Sequence, residues 1–329
     1  MGDDDEVPRF DPNGTRYDSS SYAGRLRNIL SAINPATLLL SDAEVAASQA
    51  RLRAFRENGN ALPLGVTDAD MWTAQQQVAA VIHPATGEPI SPTIGRMSAF
   101  IFPNCITAAG MLMHGPTSVG AGVFWQWVNQ SYNCANNYAN RSSADVDMTA
   151  LAQSYGLAVG AACSIALGAG AVVKRVPALR NAGLLVPYVA TVVAGGSNVA
   201  FTRINEMTDG IAVYDGDGDE LGVSVAAGRA AVFNTVLTRS AFLPVFPLLF
   251  PPMIVSAAKK AKWIRAGTPA AVMFEVCTIV LFMGIGLPAA PALQPQKMNL
   301  NVADLEEQFQ GVDPKTGLQR TIVFANKGL

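Results

Sequence analysis

The sequence predicts an all-α, polytopic helical membrane protein with about five transmembrane helices. Half of the 329 residues are hydrophobic and only 15% are charged, whereas roughly a quarter are charged in soluble domains. The charge is also unevenly placed, because residues 97–290 are mostly apolar. We therefore expect a soluble helical N-terminal region at 1–96, a transmembrane domain at 97–297 and a polar C-terminal tail at 298–329.

The N-terminal region begins with a polar stretch that contains prolines and glycine, which we interpret as a loosely ordered arm. Ser41 is followed three residues later by Glu44, the spacing of a capping box at the start of a helix. Thr67 opens a further helix that stops before His83 and Pro84. Helices are thus expected at about 22–32, 41–57 and 67–82.

The apolar part of the chain divides into runs near the length of about 20 residues that crosses a bilayer. Pro103 and Asn104 interrupt the first run, and four prolines interrupt the fourth. We interpret the acidic segment before the fourth run as a turn of Gly and Asp, and expect one short helix near 302–309. The spans are predicted at about 96–114, 151–173, 184–202, 228–258 and 269–290.

The charges of the loops predict the orientation of these spans. Basic loops at 174–180 and 259–265 flank the acidic loop along the chain, so the basic loops share the inner side and the acidic loop faces the outer side. If the segment 124–141 does not cross, there are five spans, with the N-terminal region inside and the tail outside. If it crosses, there are six spans and both termini lie outside.

The segment 124–141, FWQWVNQSYNCANNYANR, is expected to be an amphipathic, amide-rich helix. Carboxamides donate and accept hydrogen bonds without carrying charge, so such a face can line a path for a polar solute. Alternatively the helix lies in the interface, with Trp125 and Trp127 at the headgroups. Helical spacing places these amides on one face: Gln126, Asn129, Gln130, Asn133, Asn136, Asn137 and Asn140.

Several motifs resemble those of the sideroflexin family, in the right order over nearly the whole chain. They are NPATLL at 34–39, HPATGEP at 83–89, IGRMSA at 94–99, FWQWVNQSYN at 124–133, NYANRS at 137–142, and NKGL at 326–329. The resemblance implies a multi-pass protein of the mitochondrial inner membrane with about five helices and no cleaved presequence. It also implies transport of serine or another small neutral amino acid into the matrix, which supplies one-carbon metabolism.

The first functional hypothesis is such a transporter, with a site assigned from physical chemistry. A zwitterion needs a cation for its carboxylate and oxygen acceptors for its ammonium group. Arg239 is buried by its position in an apolar run, where a charge is costly unless it faces a cavity or a partner; a structural salt bridge, for example with Glu275, is the alternative. His83 is either a turn residue or part of the mouth of the path. The predicted substrate-binding residues are Asn129, Gln130, Asn133, Asn137, Arg239 and His83.

The second hypothesis is a structural or assembly subunit associated with a respiratory complex in the inner membrane. Gly156, Gly160, Ser164 and Gly168 recur every four residues, and such a ridge lets another helix approach closely. An enzyme is not expected, since the sequence has no paired catalytic carboxylates, nucleophile elbow or phosphate loop. No cofactor, metal site or nucleic-acid partner is expected either, whereas contact with the lipid bilayer is.

Overall fold

The computed structural model describes residues 7–84, 86–114, 118–140, 148–176, 185–313 and 317–326. The chain divides into two compact units. The first unit comprises Met1–Ile106 and Ser131–Asp147, and the second comprises Thr107–Gln130 and Met148–Leu329. This division differs from the three regions expected above, whose boundaries remain a prediction.

The first unit contains the three helices expected near the N-terminus. Ser41 and Glu44 form a complete capping box at the start of the second helix, and Thr67 and Asp70 form another at the start of the third. Each box satisfies backbone N–H groups that the first turn of a helix leaves open. The helices are α1 (Tyr22–Ala32), α2 (Asp42–Glu57) and α3 (Asp68–Val81).

The arm before α1 is docked, which differs from the loosely ordered arm that we expected. Phe10 is buried and packs edge-on against Phe55 and Trp72, with ring centroids 5.1 and 4.9 Å away. The indole N–H of Trp72 donates to the Pro8 carbonyl oxygen at 2.8 Å. These contacts join residues more than forty positions apart, so local sequence signals did not indicate them.

Two helices then follow, α4 (Ile101–Met113) and α5 (Val119–Ala139), of which α5 is the expected amide-rich helix. Pro103 does not break α4 in its middle, because α4 begins only at Ile101 and proline is tolerated in the first turn of a helix. The Asn104 carboxamide donates to the Phe100 carbonyl oxygen at 2.7 Å. The predicted interruption is therefore the start of the helix.

The second unit contains the remaining helices. After α6 (Met148–Arg175), α7 (Leu185–Thr202) and the short α8 (Ile204–Thr208), a long helical stretch is divided into α9 (Val225–Thr235), a π-helix (Val236–Phe242), α10 (Val245–Leu248) and α11 (Phe250–Lys260). The last helix is α12 (Pro269–Ala292). The bounds agree closely with the apolar runs of the sequence.

Among the described residues, two helical stretches are long and apolar enough to cross a membrane, Val225–Lys260 and Pro269–Ala292. Shorter apolar helical stretches are Met97–Met113 and Leu151–Ile165. The structure is therefore mostly helical, as expected, and supports two of the predicted spans by length and composition. The count of about five remains a prediction.

A small β-sheet in the second unit corrects the all-α assignment. The acidic segment forms a hairpin whose first strand pairs with the last strand of the tail, so the strand order is β2-β1-β4-β3 and all pairs are antiparallel. In place of the short helix expected near 302–309, the tail has two 3₁₀ turns, Val302–Asp304 and Glu307–Phe309. The strands are β1 (Ile211–Tyr214), β2 (Glu220–Ser224), β3 (Lys297–Asn301) and β4 (Ile322–Asn326).

The sheet is attached to the beginning of the long helical stretch. Phe309 and Val323 from the tail are buried in one cluster with Ala227 and Ala231 of α9. The Glu306 carboxylate caps the same helix, because it accepts hydrogen bonds from the Ser224 hydroxyl at 2.6 Å and from the backbone N–H groups of residues 225 and 226 at 2.9 Å. The C-terminal segment is thus a folded part of the second unit.

Candidate functional site

The long helical stretch of the second unit changes its hydrogen-bonding pattern around Arg239. The Leu243 N–H donates to the Thr238 carbonyl oxygen, five residues back, at 3.0 Å, which is the spacing of a π-helix. Pro244 and Pro247 follow and cannot donate backbone hydrogen bonds. Single π-helical turns occur frequently at functional sites, and Arg239 lies within this one, half-buried.

Helix α7 packs closely against the π-helix. A Cβ atom on Gly195 would lie 3.1 Å from the Ser240 hydroxyl oxygen, and one on Gly196 would lie 3.3 Å from a Val236 methyl group. The absence of side chains at these two glycines therefore sets the distance between the helices. The Tyr188 hydroxyl of α7 donates to the Ala241 carbonyl oxygen at 3.0 Å, which satisfies a backbone group beside the break.

The end of α7 adds a second guanidinium group to this region. Arg203 Nε donates to Glu206 Oε1 at 2.7 Å, its Nη2 pairs with the other carboxylate oxygen, and its Nη1 donates to the Thr235 hydroxyl at 2.8 Å. Thr235 lies one turn before Arg239 on the same helical stretch. Arg203 is thus tied by Thr235 to the helical turn that precedes Arg239.

Two buried carboxamides meet where α7 faces α5. The Asn198 Nδ2 group donates to Gln130 Oε1 of α5 at 3.0 Å. Asn198 is 9% exposed and Gln130 is 3% exposed. The Thr202 hydroxyl donates to the Asn198 carbonyl oxygen at 2.9 Å. Helix α7 therefore makes polar contacts with the part of α5 that lies in the second unit and with the π-helix.

Helix α5 contributes two further amides in the second unit. Gln126 is buried, and its Nε2 group contacts the Met111 sulfur at 3.7 Å. Its Oε1 atom is buried and has no hydrogen-bond partner among the described residues. Asn129 Oδ1 accepts a long hydrogen bond of 3.4 Å from the Thr107 hydroxyl. A polar atom buried without a partner carries a free-energy cost, so Gln126 offers an acceptor for water or for a polar solute.

The structure places the predicted site residues in different parts of the chain. Asn129, Gln130 and Arg239 belong to the second unit, whereas His83 and Asn133 belong to the first. The side chain of Asn137 lies outside the described residues. The structure thus brings Gln130 into contact with α7 and places Arg239 in the π-helix that packs against α7, and the role of the six residues in binding remains a prediction.

His83 is a buried part of the turn that follows α3. Its Nδ1 atom accepts from the Thr86 N–H at 3.2 Å, and its backbone N–H donates to the Glu88 carbonyl oxygen at 2.8 Å. These bonds close the HPATGEP loop, and the same loop brings Ile82 and Pro89 together in a β-bridge. The turn geometry thus fixes the position of His83 in the first unit.

Three residues of the site were not assigned from the sequence: Asn198, Arg203 and Thr235. Asn198 interrupts an otherwise apolar run, which is a signal that sequence reasoning could have used. The spacing of Arg203 and Glu206 is that of a helical ion pair, but it does not indicate the contact with Thr235. Among the described residues, no ion pair joins Glu275 to Arg239, and no group of His, Cys, Asp and Glu residues could hold a metal ion.

Comparisons with known proteins agree with the motifs and the helical architecture. The family model of the sideroflexins matches residues 11–329. The chain belongs to the sideroflexin family. It is similar to a sideroflexin of Dictyostelium discoideum, with 34% identity over 98% of both chains, and to Sideroflexin-5 of Caenorhabditis elegans, with 36% identity over 98% of this chain and 96% of the other.

Human Sideroflexin-5 is 32% identical over 98% of this sideroflexin and 94% of its own length. No solved structure matches the chain significantly. Family membership, together with the two helical stretches that could cross a bilayer, identifies this sideroflexin as a membrane protein.

Proposed function

We propose that this sideroflexin transports serine, or another small neutral amino acid, across the mitochondrial inner membrane into the matrix, where it supplies one-carbon metabolism. The observation that carries the proposal is Arg239, a cation held in the π-helical turn of a proline-broken apolar stretch. Discontinuous membrane helices present charged and backbone groups to solutes within the bilayer. Family membership supports a carrier role over a catalytic one.

The chemistry of the site suits a zwitterion. The guanidinium group of Arg239 is a suitable partner for a carboxylate, because its planar donors match the two oxygens. Arg203 adds positive potential, although Glu206 pairs with it. The Gln126 Oε1 atom and the Asn129 side-chain oxygen can accept hydrogen bonds from the ammonium and hydroxyl groups of serine. This assignment includes Asn129 and Gln130 in the second unit, and leaves His83, Asn133 and Asn137 as further proposed contacts.

The test is uptake of labelled serine by liposomes that contain the purified protein. Arg239→Ala should reduce saturable uptake, since a hydrogen bond to a charged group contributes about 1.5–3 kcal/mol, or about ten- to a hundredfold in affinity. Arg239→Lys should retain part of the activity because it keeps the charge. Arg229→Ala is the matched control, since Arg229 is an exposed arginine on the same helical stretch and its replacement should leave uptake unchanged.

A competitor that lacks the carboxylate separates binding from folding. Serine amide should compete poorly with serine in the wild-type protein, and this discrimination should be smaller in Arg239→Lys. Full uptake by correctly inserted Arg239→Ala would remove Arg239 from the mechanism. A folded wild-type protein that transports no neutral amino acid would contradict the proposed function itself.

A second candidate function is a structural subunit of an inner-membrane respiratory complex. It is favoured by the ridge on α6, where a Cβ atom on Gly156, Gly160 or Gly168 would meet no described atom within 4 Å. This open face suits the close approach of a helix from another protein. Gly160→Leu should then release a co-purifying complex and leave serine uptake intact, whereas loss of uptake without loss of a partner would argue against this function.

A further inference from the structure

The segment 259–268, which comprises the end of α11 and the loop that joins the two candidate spans, is strongly basic, and its four cations are exposed. Lys259, Lys260, Lys262 and Arg265 are all exposed. The sequence has no Asp or Glu between Glu220 and Glu275, so no acidic residue close along the chain neutralises these four cations. A cluster of cations next to a membrane-crossing helix attracts anionic lipid headgroups.

The end of α11 holds this loop in an unusual conformation. The Trp263 N–H donates to the Ala258 carbonyl oxygen at 3.0 Å, and the Lys262 N–H donates to the Lys259 carbonyl oxygen at 3.1 Å. This pair of bonds is a Schellman motif, in which the left-handed position is usually glycine. Here that position is Lys262, with φ of 59°. The backbone of Lys262 is therefore strained, because residues with a side chain disfavour this conformation.

The residue after Lys262 is also unusual for this motif. It commonly makes a hydrophobic contact with the preceding helical turn, whereas Trp263 is 81% exposed. A tryptophan that does not pack on its own helix remains available for another apolar environment. Indole rings are enriched at the level of lipid headgroups, because they combine an apolar body with one hydrogen-bond donor.

The position of the loop determines which apolar environment Trp263 can enter. It connects two consecutive helical stretches that are both long and apolar enough to cross a membrane, and it has only residues 261–268 between them. The loop therefore lies at the bilayer surface when the two stretches cross. We propose that residues 259–265 form a binding site for anionic phospholipid headgroups, in which the four cations contact the phosphate groups and Trp263 inserts beside them.

Fluorescence quenching by brominated lipids tests this proposal with the full chain. The protein is reconstituted in phosphatidylcholine containing a minority of phosphatidylglycerol, and bromine is placed on the acyl chains of one lipid at a time. The Trp263 signal is the difference between the wild-type protein and Trp263→Phe. Per brominated molecule, phosphatidylglycerol should quench this signal severalfold more than phosphatidylcholine, because each cation favours an anionic headgroup.

The variant Lys259→Gln, Lys260→Gln, Lys262→Gln, Arg265→Gln should lose this preference and still be quenched by both lipids. The matched control is Arg51→Gln, Arg53→Gln, Arg56→Gln, which removes exposed cations from α2 and should keep the preference. Equal quenching by the two lipids in the wild-type protein would overturn the proposal.

Two other outcomes would also overturn it. Quenching by neither lipid would place Trp263 outside the bilayer surface and favour a soluble or protein partner for the loop. Loss of the preference on adding inorganic phosphate, but not on adding the same ionic strength of chloride, would show that the site recognises free phosphate instead of a lipid.

Discussion

At the scale of single residues, the buried contact between Asn198 and Gln130 is the clearest polar link between two helices of the second unit. Replacing either residue alone by leucine leaves the other amide group buried without its partner, which costs about 1–3 kcal/mol. The double variant removes both polar groups. We therefore expect the loss in unfolding free energy for the double variant to be smaller than the sum of the two single losses.

Thermal or denaturant unfolding in bicelles measures this coupling. The expected value is near that of other hydrogen bonds between membrane helices, about 0.6–1.7 kcal/mol. Tyr155→Phe is a control, since the hydroxyl of Tyr155 accepts a hydrogen bond from Trp127 on an exposed surface and its loss should change stability little. Strictly additive single and double variants would mean that the two amides do not stabilise one another.

The Glu306 carboxylate is a second residue whose effect can be measured. Burial raises the pKa of Glu306. Hydrogen bonds from the Ser224 hydroxyl and from the N–H groups of Ala226 and Val225 lower it by more than burial raises it, so the pKa lies below the ordinary value for Glu. A folded-state pKa below the unfolded one stabilises the protein above the unfolded pKa, and this stabilisation is lost as pH falls through the folded pKa.

Glu306→Gln should therefore lower the unfolding free energy at neutral pH, by about 0.5–2 kcal/mol as for other lost caps. The difference from the wild-type protein should shrink in acid, because the wild-type carboxylate is then protonated. A series of unfolding measurements across pH checks this, with Glu307→Gln, an exposed neighbour, as the control. A difference that stays constant down to strongly acidic pH would indicate that the charge of Glu306 is not involved.

At the scale of elements, the approach of α12 to α10 depends on one glycine. A Cβ atom on Gly286 would lie 2.6 Å from the ring of Phe246, which is too close for either helix to remain in place. Gly286→Ala should destabilise the protein by about 1–3 kcal/mol, as is typical of overpacking. Thermal unfolding checks this, and a combined Phe246→Leu replacement should recover part of the loss.

The control for this contact lies two residues earlier on the same helix. A Cβ atom on Gly284 would meet nothing within 4 Å, so Gly284→Ala should be neutral or slightly stabilising, because alanine has the higher helix propensity. Equal effects of the two substitutions would mean that helix propensity, and not the contact with Phe246, determines the result.

The three N-terminal helices were predictable to within a few residues because their signals are local. Ser41 with Glu44 fixes the start of α2 through bonds across three positions, and the apolar runs have the lengths of the observed helices. The sheet was not predictable in this way, since Tyr214 pairs with Phe324 across more than a hundred residues. The π-helix also leaves no periodic signal, because it departs from the α-helical spacing for only seven residues.

In the candidate site, too, the residues with a local sequence signal were predictable and their long-range contacts were not. Arg239 and Gln130 were predictable as polar residues in apolar or amphipathic segments. Their neighbours were not, because Asn198 and Arg203 meet their partners only when α7 and the residue that follows it pack against α5 and α9. Sequence patterns thus identify costly polar residues, while the contacts that satisfy those residues depend on how the helices pack.

At the scale of the whole molecule, the sheet bears on the orientation of the chain in the membrane. The acidic hairpin precedes α9 and the tail follows α12, and β1 pairs with β4. The beginning of α9 and the end of α12 therefore lie on the same side of the two membrane-crossing stretches. The basic loop 261–268 joins the other ends of the same pair. This arrangement agrees with the orientation that loop charges predict, in which acidic and basic loops face opposite sides.

Cysteine labelling in sealed proteoliposomes tests this orientation. In a background in which the free cysteines at 105, 134, 163 and 277 are replaced, Gly216→Cys in the hairpin and Asn299→Cys in the tail should react with an impermeant maleimide from the same side. Lys262→Cys should react only from the opposite side, because one membrane-crossing stretch separates position 262 from position 216 and another separates it from position 299. Detergent-opened liposomes provide the measure of full reactivity. If positions 216 and 299 reacted from opposite sides, β1 and β4 could not pair in the membrane, and the sheet would have to form after extraction from the bilayer.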